Sequence, residues 1–365
     1  MANWFEPLVS EDKLHTQFKW LLNLGYRCEQ ELLQSWIDDF PVKDGFRKTI
    51  KEFQTTFRST FWELYLNQVF KSSNWEVDPN AVAPDFIINR NGATCSVEAV
   101  IANFSINSKP EEERTLNDIY GDNNIYEIID ESIPRTLNAI AYKSKKYFKT
   151  YSKNEVVTKN PYVVALGDYG QINYGQSAFY SMMSVLYNAA YDPEDKLDLK
   201  ILCDDNYGNE YKYIESYEKE NGSKLPLGIF SNDENKHISA IIFSCTLTLG
   251  KLSSLCPSHT LDKYIYLERE HLKQIRYTGS EPDEHLCDGL FVFLNPYAEH
   301  PLDTKFLSGK GLTVVSANFD DFYEINIDCY RSSPLLRRKV GMRGDEFSHL
   351  EDLNEFDFYA VKKVT

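Results

Sequence analysis

The chain has 365 residues, of which 42% are hydrophobic and 14% aromatic, and it carries 39 Lys and Arg against 55 Asp and Glu, a formal net charge of −16. This composition excludes disordered, collagen-like and low-complexity proteins, because those classes lack the apolar surface that offsets the loss of chain entropy. The acidic charge argues against a polybasic coat on nucleic acid, so a contact with phosphate requires a local site or a basic partner.

The cysteines and the N-terminal residues predict the compartment. The seven cysteines are widely spread and contain no C-x-x-C pair, which argues against a disulfide framework and a zinc ribbon. The first residues lack a basic segment followed by an apolar one, and the chain has no run of eighteen apolar residues. We therefore expect a reduced, cytoplasmic protein without a membrane partner.

Helical periodicity dominates the first seventy residues. Residues 11–40 contain two short amphipathic patterns with a break at Gly25-Tyr26-Arg27. After Pro41, apolar residues recur at steps of three and four from Phe46 and predict one helix of about 25 residues that ends near Phe70.

Strand and helix patterns alternate in the rest of the chain. Asn91-Gly92 separates two strand-like segments and is a strong hairpin signal. Ser132 and Pro134 predict the start of a helix that reaches about Phe148, and a second helix is expected over 178–190. Residues 103–131 are polar and irregular in pattern. Strands are predicted at 75–78, 85–90, 93–101, 161–166, 238–244, 289–294, 312–316 and 323–328.

This order of elements predicts a mixed α/β fold, with a helical N-terminal region and a strand-rich C-terminal part. At roughly 150 residues per domain, the length indicates about two domains. We divide the chain into an N-terminal helical region (1–60), a core (61–191), a polar insertion (192–235) and a C-terminal α/β part (236–365) that continues or caps the core.

The hairpin places two acidic residues opposite each other. If Asn91-Gly92 is a two-residue turn, Ile87 faces Ser96 and Asp85 faces Glu98. The alternate positions on both strands are apolar, so that face of the hairpin is expected to pack on the core. Like charges on opposed strands destabilise a sheet unless a partner neutralises them, and Mg²⁺ is a suitable partner for carboxylate oxygens.

A third acid, Glu63, is the only charged residue between Phe61 and Leu66. A helix that is apolar on nearly all sides is buried, and a buried carboxylate requires a partner or a metal.

Glu63, the Pro84-Asp85-Phe86 strand start and Ser96-Val97-Glu98-Ala99-Val100 together resemble the PD-(D/E)XK nuclease superfamily, over about residues 60–170. The resemblance implies a restriction-endonuclease-like mixed sheet flanked by helices. It also implies a Mg²⁺- or Mn²⁺-dependent endonuclease in which Asp85, Glu98 and Glu63 hold the metal. In that superfamily a lysine two residues after the last acid orients the attacking water, but this chain has Val100 there.

Some members of the superfamily carry this lysine on a neighbouring helix, which points here to the lysines of residues 141–147. At 100° per residue, Lys143 and Lys145 flank an apolar stripe that ends at Phe148, and Lys146 points away from it. We assign the role to Lys143, and the angles leave Lys145 as an alternative.

The resemblance implies nucleic acid, chiefly DNA, as the partner, with a role in restriction, phage defence or nucleic-acid processing. The acidic surface adds a homodimer or a basic partner subunit to the expected partners. Two other functions stay open. One is a catalytically inactive binding or assembly protein on the same fold, and the other is a small-molecule or glycan hydrolase that uses the carboxylate pair.

Overall fold

The structure of the protein is a computed structural model. It describes residues 3–43, 45–103, 109, 113, 125–170, 177, 179–192, 200–202, 211–219, 222–256, 263–269, 272–277, 284–319, 324–330 and 334–342. Parts of the predicted irregular segment 103–131 and of the polar insertion 192–235, and the first residue of the helix predicted over 178–190, therefore lie outside the described residues.

The N-terminal helices form a layer whose apolar side chains are buried. The break predicted near Gly25 is confirmed, because one helix ends at Leu21 and the next begins at Arg27. Phe18 and Leu33 have no exposed surface. The layer consists of α1 (Thr16–Leu21), α2 (Arg27–Asp38), α3 (Phe46–Thr55) and α4 (Phe57–Ser72), with short 3₁₀ turns at Glu11–Lys13 and Leu24–Tyr26.

The single long helix predicted from Phe46 was wrong, because α3 and α4 are separate. Thr56 lies between them with non-helical backbone angles of φ −124° and ψ 36°. The hydroxyls of Thr55 and Thr56 donate to the carbonyls of Lys51 and Glu52, each at 2.9 Å. Such hydrogen bonds to the preceding turn compete with helix geometry. Two adjacent threonines therefore end α3 at a position where the apolar pattern of the sequence continues without a break.

Nine strands form one mixed sheet in the order β1-β2-β3-β4-β10-β13-β14-β15-β6, so the predicted mixed α/β fold is confirmed. β11, β12 and β16 form a three-stranded sheet, and β5–β7 and β8–β9 are two-stranded. The strands are β1 (Glu76–Val77), β2 (Phe86–Arg90), β3 (Ala93–Ala102), β4 (Tyr162–Asp168), β5 (Ala189–Tyr191), β6 (Lys200–Leu202), β7 (Tyr211–Tyr213), β8 (Ser216–Glu218), β9 (Lys224–Pro226), β10 (Ala240–Ser244), β11 (Lys263–Arg269), β12 (Leu272–Tyr277), β13 (Phe291–Leu294), β14 (Thr313–Asn318), β15 (Glu324–Cys329) and β16 (Leu335–Met342).

The β2–β3 hairpin has the predicted register. Ile87 pairs with Ser96 and Arg90 with Ala93, across a turn in which both central residues have positive φ. β3 then runs parallel to β4, and β4 runs parallel to β10. β3 is therefore flanked on both sides, and its residues 95–99 are buried.

The sheet also joins the proposed segments of the chain. β10, β13, β14 and β15 come from the C-terminal part and extend the core sheet, and β6, from the polar insertion, forms its far edge. The segment 192–235 also contains β7, β8 and β9.

Two hydrophobic cores lie on opposite faces of the sheet. The first joins the N-terminal helices to the apolar face of the hairpin, including Phe86, Ile88 and Val97, as the alternation predicts. The second lies under the helices that follow β3 and β4 and includes Ile140 and Val164. The remaining helices are α5 (Ile125–Lys146), α6 (Glu155–Thr158), α7 (Tyr180–Tyr187) and α8 (Leu249–Leu255), with a π-helical turn at Tyr147–Tyr151 and a 3₁₀ turn at Asp233–Asn235.

Helices α5 and α7 differ from their predicted bounds. α5 begins at Ile125 instead of Ser132, and Pro134 lies inside it. Proline is tolerated there although it cannot donate to the carbonyl four residues earlier. α7 ends at Tyr187, because Asn188 adopts the left-handed conformation with φ 57°.

Among the described helices, none is both long enough and apolar enough to cross a membrane.

Trp62 joins α4 to the centre of the sheet, since its indole Nε1 donates to the carbonyl of Ala165 at 3.0 Å in a fully buried position. We expect Trp62→Phe to lower the free energy of unfolding by about 2 kcal/mol, through the lost hydrogen bond and the smaller ring. Urea unfolding measures this change. Trp20→Phe is the control, because Trp20 is 39% exposed, and its effect should stay within about 0.5 kcal/mol. Equal effects of the two substitutions would contradict the assignment.

Candidate functional site

Glu98 lies on β3 with no exposed surface, and three side chains donate to its carboxylate. Lys143 Nζ donates to Oε1 at 2.7 Å, Lys146 Nζ contacts the same oxygen, and the Tyr151 hydroxyl donates to Oε2 at 2.8 Å. Burial alone would raise the pKa of Glu98, but Lys143 and the hydrogen bonds from Lys146 and Tyr151 lower it below its ordinary value. Glu98 is therefore an ionised carboxylate inside the protein.

Asp85 immediately precedes β2 and lies close to Glu98. Its Oδ2 accepts a hydrogen bond from the backbone N–H of Ala99 at 2.7 Å, and Lys143 Nζ lies 4.0 Å from the same oxygen. Burial and the charge of Glu98 raise the pKa of Asp85, although Lys143 opposes this shift. The sequence-based prediction that these two acids are neighbours is consistent with this electrostatic interaction and with the adjacent pair Phe86–Val97.

Glu63 lies on α4, on the side that faces Asp85 and Lys143. Burial, followed by the charges of Asp85 and Glu52, raises the pKa of Glu63 to about 8. Lys143 and Lys43 offset only part of this effect. The raised pKa therefore favours the protonated form of Glu63 at neutral pH when no metal ion is bound.

Lys143, Lys145 and Lys146 have different surroundings at the end of α5. Lys143 is buried against Glu98, whereas Lys145 is exposed. The prediction that Lys146 points away from the core was wrong, because its ammonium group contacts Glu98. Phe148 was expected to continue the apolar stripe, but it is 57% exposed.

The physical reason for the error at Phe148 is the π-helical turn at Tyr147–Tyr151. A π turn has more residues per turn than an α-helix, so positions assigned at 100° per residue shift around the axis. As a result Tyr151, instead of Phe148, is buried and reaches Glu98. The long side chain of Lys146 also allows its charge to reach a buried carboxylate from a half-buried position.

Three residues of the site were missed by the sequence analysis. Lys146 and Tyr151 bind Glu98, and Lys43 Nζ donates to the backbone carbonyl of Asp85 at 2.7 Å. Tyr151 lies in the same basic and aromatic segment as Lys143, so that segment was the available signal. Lys43 follows Pro41 in a connection between helices, and no local pattern marks it.

Two of the three predicted metal ligands, Asp85 and Glu63, suit a hard divalent cation. Within the residues that the structure describes, no group of three or more His, Cys, Asp or Glu side chains is arranged to hold a metal. Asp85 and Glu63, however, are two neighbouring carboxyl groups whose pKa values are raised first by burial and then by a nearby carboxylate, Glu98 for Asp85 and Asp85 for Glu63. Mg²⁺ characteristically uses one or two carboxylates and keeps several waters, so this pair fits it. Glu98, in contrast, already has both oxygens engaged by donors.

Comparisons of the chain with protein-family models, with curated proteins and with solved structures find no match. The functional proposal below therefore depends on the residues and their geometry.

The protonation of Glu63 predicts a pH dependence of stability in metal-free solution. The unfolded carboxyl ionises near pH 4.5, whereas the folded one ionises near pH 8. The stabilising contribution is thus complete below pH 4.5 and is lost as the pH rises towards 8. We expect the free energy of unfolding of Glu63→Gln, relative to the wild type, to rise across this window and to level off above it.

Urea unfolding at several pH values in chelator measures this difference. Glu31→Gln is the matched control, because Glu31 is an exposed carboxylate paired with Arg27 at 3.1 Å. A wild-type and Glu63→Gln difference that does not vary with pH would show that Glu63 titrates normally.

Proposed function

We propose that the protein is a cytoplasmic, metal-dependent nuclease that hydrolyses phosphodiester bonds, chiefly in DNA, with a role in restriction or phage defence. The observation that carries the proposal is the position of Lys143, whose ammonium lies 2.7 Å from Glu98 and 4.0 Å from Asp85. A cation from a neighbouring helix thus lies between the two acids of the hairpin, beside the strand where Val100 occupies the lysine position of the superfamily.

The acidic residues of the site would bind the metal ion. Asp85 and Glu63 would hold a Mg²⁺ or Mn²⁺ ion, and Glu98 is the third predicted ligand, available when a lysine releases Oε1. The ion, when bound, would supply Lewis-acid polarisation of the phosphate.

Lys143 would then bind a phosphate oxygen and stabilise the charge that develops on it during hydrolysis. Glu98 positions this lysine, because the ion pair between them is buried and holds the ammonium towards Asp85. Lys146 and Tyr151 act through Glu98 and are positioning residues.

One observation favours a second candidate, a catalytically inactive protein on the same fold. Both oxygens of Glu98 are occupied by donors, which is also how a purely structural buried carboxylate is stabilised. In that case Lys143 neutralises Glu98 and has no role in hydrolysis.

Cleavage assays with purified protein separate the two candidates. Plasmid DNA, single-stranded DNA and RNA are incubated with Mg²⁺, with Mn²⁺ or with chelator. We expect cleavage that requires the metal and that falls at least 100-fold in Asp85→Asn and in Lys143→Met, because each loses a charged group beside the reacting phosphate.

Two substitutions at exposed positions are matched controls. Asp12→Asn and Lys51→Met remove the same charges away from the site and should retain activity. Circular dichroism confirms that each variant is folded. The absence of metal-dependent cleavage by the wild type would favour the inactive protein, whereas full activity in Lys143→Met would reject the role proposed for Lys143.

A further inference from the structure

One segment of this acidic protein, beside the candidate site, is basic and has no acidic residue. Residues 132–154 contain six basic residues and no Asp or Glu, in a chain whose net charge is −16. The segment lies between Glu131 and Glu155 and covers the end of α5 and the π turn. Its basic residues are Arg135, Lys143, Lys145, Lys146, Lys149 and Lys153.

Half of these basic residues are directed to solvent. Lys143 and Lys146 bind Glu98, and Arg135 lies 4.0 Å from Glu131. The other three, Lys145, Lys149 and Lys153, are exposed.

Two aromatic rings are exposed among the same residues. Tyr142 is 63% exposed and Phe148 is 57% exposed. Phe148 is held in place by His237, with ring centroids 4.5 Å apart. We define the basic-aromatic surface as Tyr142, Lys145, Phe148, Lys149 and Lys153.

The basic-aromatic surface adjoins the candidate site through neighbouring residues of the same segment. Tyr142 has its ring 5.9 Å from Lys143 Nζ, and Lys146 has a half-buried side chain whose ammonium reaches Glu98. A chain of phosphates that follows the exposed lysines would therefore approach Lys143. The next acidic residue along the chain, Glu155, is paired with Lys159 at 2.9 Å.

We propose that the basic-aromatic surface binds single-stranded nucleic acid and directs it to the candidate site. Exposed lysines neutralise backbone phosphates without reading sequence. Exposed aromatic rings stack on unpaired bases, which a duplex does not offer. This inference rests on the proposed function for the identity of the site, but the binding itself requires no catalysis.

Fluorescence anisotropy in chelator, where no metal supports cleavage, tests the binding on the full-length protein. The probes are a labelled 30-nucleotide oligo(dT), an oligo(U) of the same length and a mixed-sequence duplex. We expect the single strands to bind at least tenfold more tightly than the duplex, and the two single strands report whether DNA or RNA is preferred.

Substitutions identify the residues responsible. The triple variant Lys145→Gln, Lys149→Gln, Lys153→Gln should weaken oligo(dT) binding at least tenfold and lower the dependence of log K on log salt by about 2, since each phosphate contact to a single strand contributes about 0.7. Tyr142→Ala and Phe148→Ala should each weaken it at least fivefold at constant salt dependence.

The controls carry the same changes elsewhere on the surface. Lys13, Lys51 and Lys224 are exposed lysines outside the segment, and their triple glutamine variant should bind as the wild type does. Tyr330→Ala removes a ring that is 62% exposed and should also have no effect. Equal losses in the two triple variants, failure of the wild type to bind oligo(dT), or tighter binding to the duplex would each overturn the proposal.

The binding and cleavage experiments test the surface and the nuclease activity independently. Binding that depends on the basic-aromatic surface, without any metal-dependent cleavage, would support this surface and reject the nuclease. Cleavage that is lost in Asp85→Asn but unchanged in the lysine triple variant would support the nuclease and reject this surface.

Discussion

The organisation of the site depends on one buried carboxylate, Glu98, in the interior of the sheet. An ion removed from water costs several kcal/mol, and the cost is recovered only when charged and hydrogen-bonding partners surround it. Here the end of α5 provides two lysines, and the π turn provides the hydroxyl of Tyr151. The same segment packs on β4 through Tyr162, whose ring lies 5.0 Å from Tyr147. The position of α5 on the sheet and the ionised state of Glu98 therefore depend on each other.

This constraint gives the three acids different electrostatic states. Glu98 is ionised because it is surrounded by donors, whereas the pKa values of Asp85 and Glu63 rise because burial and mutual repulsion are only partly offset. Lys143 contacts the first acid and faces the second, so its charge is shared between them. Such a site has two carboxyl groups of raised pKa, Asp85 and Glu63, which would ionise beside a metal ion, and a fixed cation 4.0 Å from Asp85. That asymmetry is suited to hold a metal ion on one side of a phosphate and an ammonium on the other.

The sequence predicted those features that depend on local pattern. The Asn91-Gly92 turn determined the register of β2 and β3, and the alternation of side chains then assigned their buried face. The mixed α/β class and the positions of the strands of the nine-stranded sheet, except β6, followed from short strand-like runs between turn residues, whereas β5, β7–β9, β11, β12 and β16 were not predicted. The features that failed depend on hydrogen bonds that such patterns do not describe. The hydroxyls of Thr55 and Thr56 end α3, and the π turn changes which residue of α5 meets the sheet. Lys43 contacts Asp85 across 42 positions of the chain, and no periodicity relates residues so far apart.

The net charge of the protein is not evenly distributed along the chain, and this affects where a polyanion can approach. A net charge of −16 spread evenly would repel a polyanion from every direction. In this protein the acidic residues are absent from 132–154, and two of the lysines in that segment are directed inwards to Glu98 while three remain in solvent. For the proposed nucleic-acid partner, repulsion from the rest of the surface and attraction by this segment would act in the same direction, because both would favour approach of a phosphate chain along residues 145–153. A strongly acidic protein can thus bind a polyanion at one place, and the acidic surface then restricts where binding occurs.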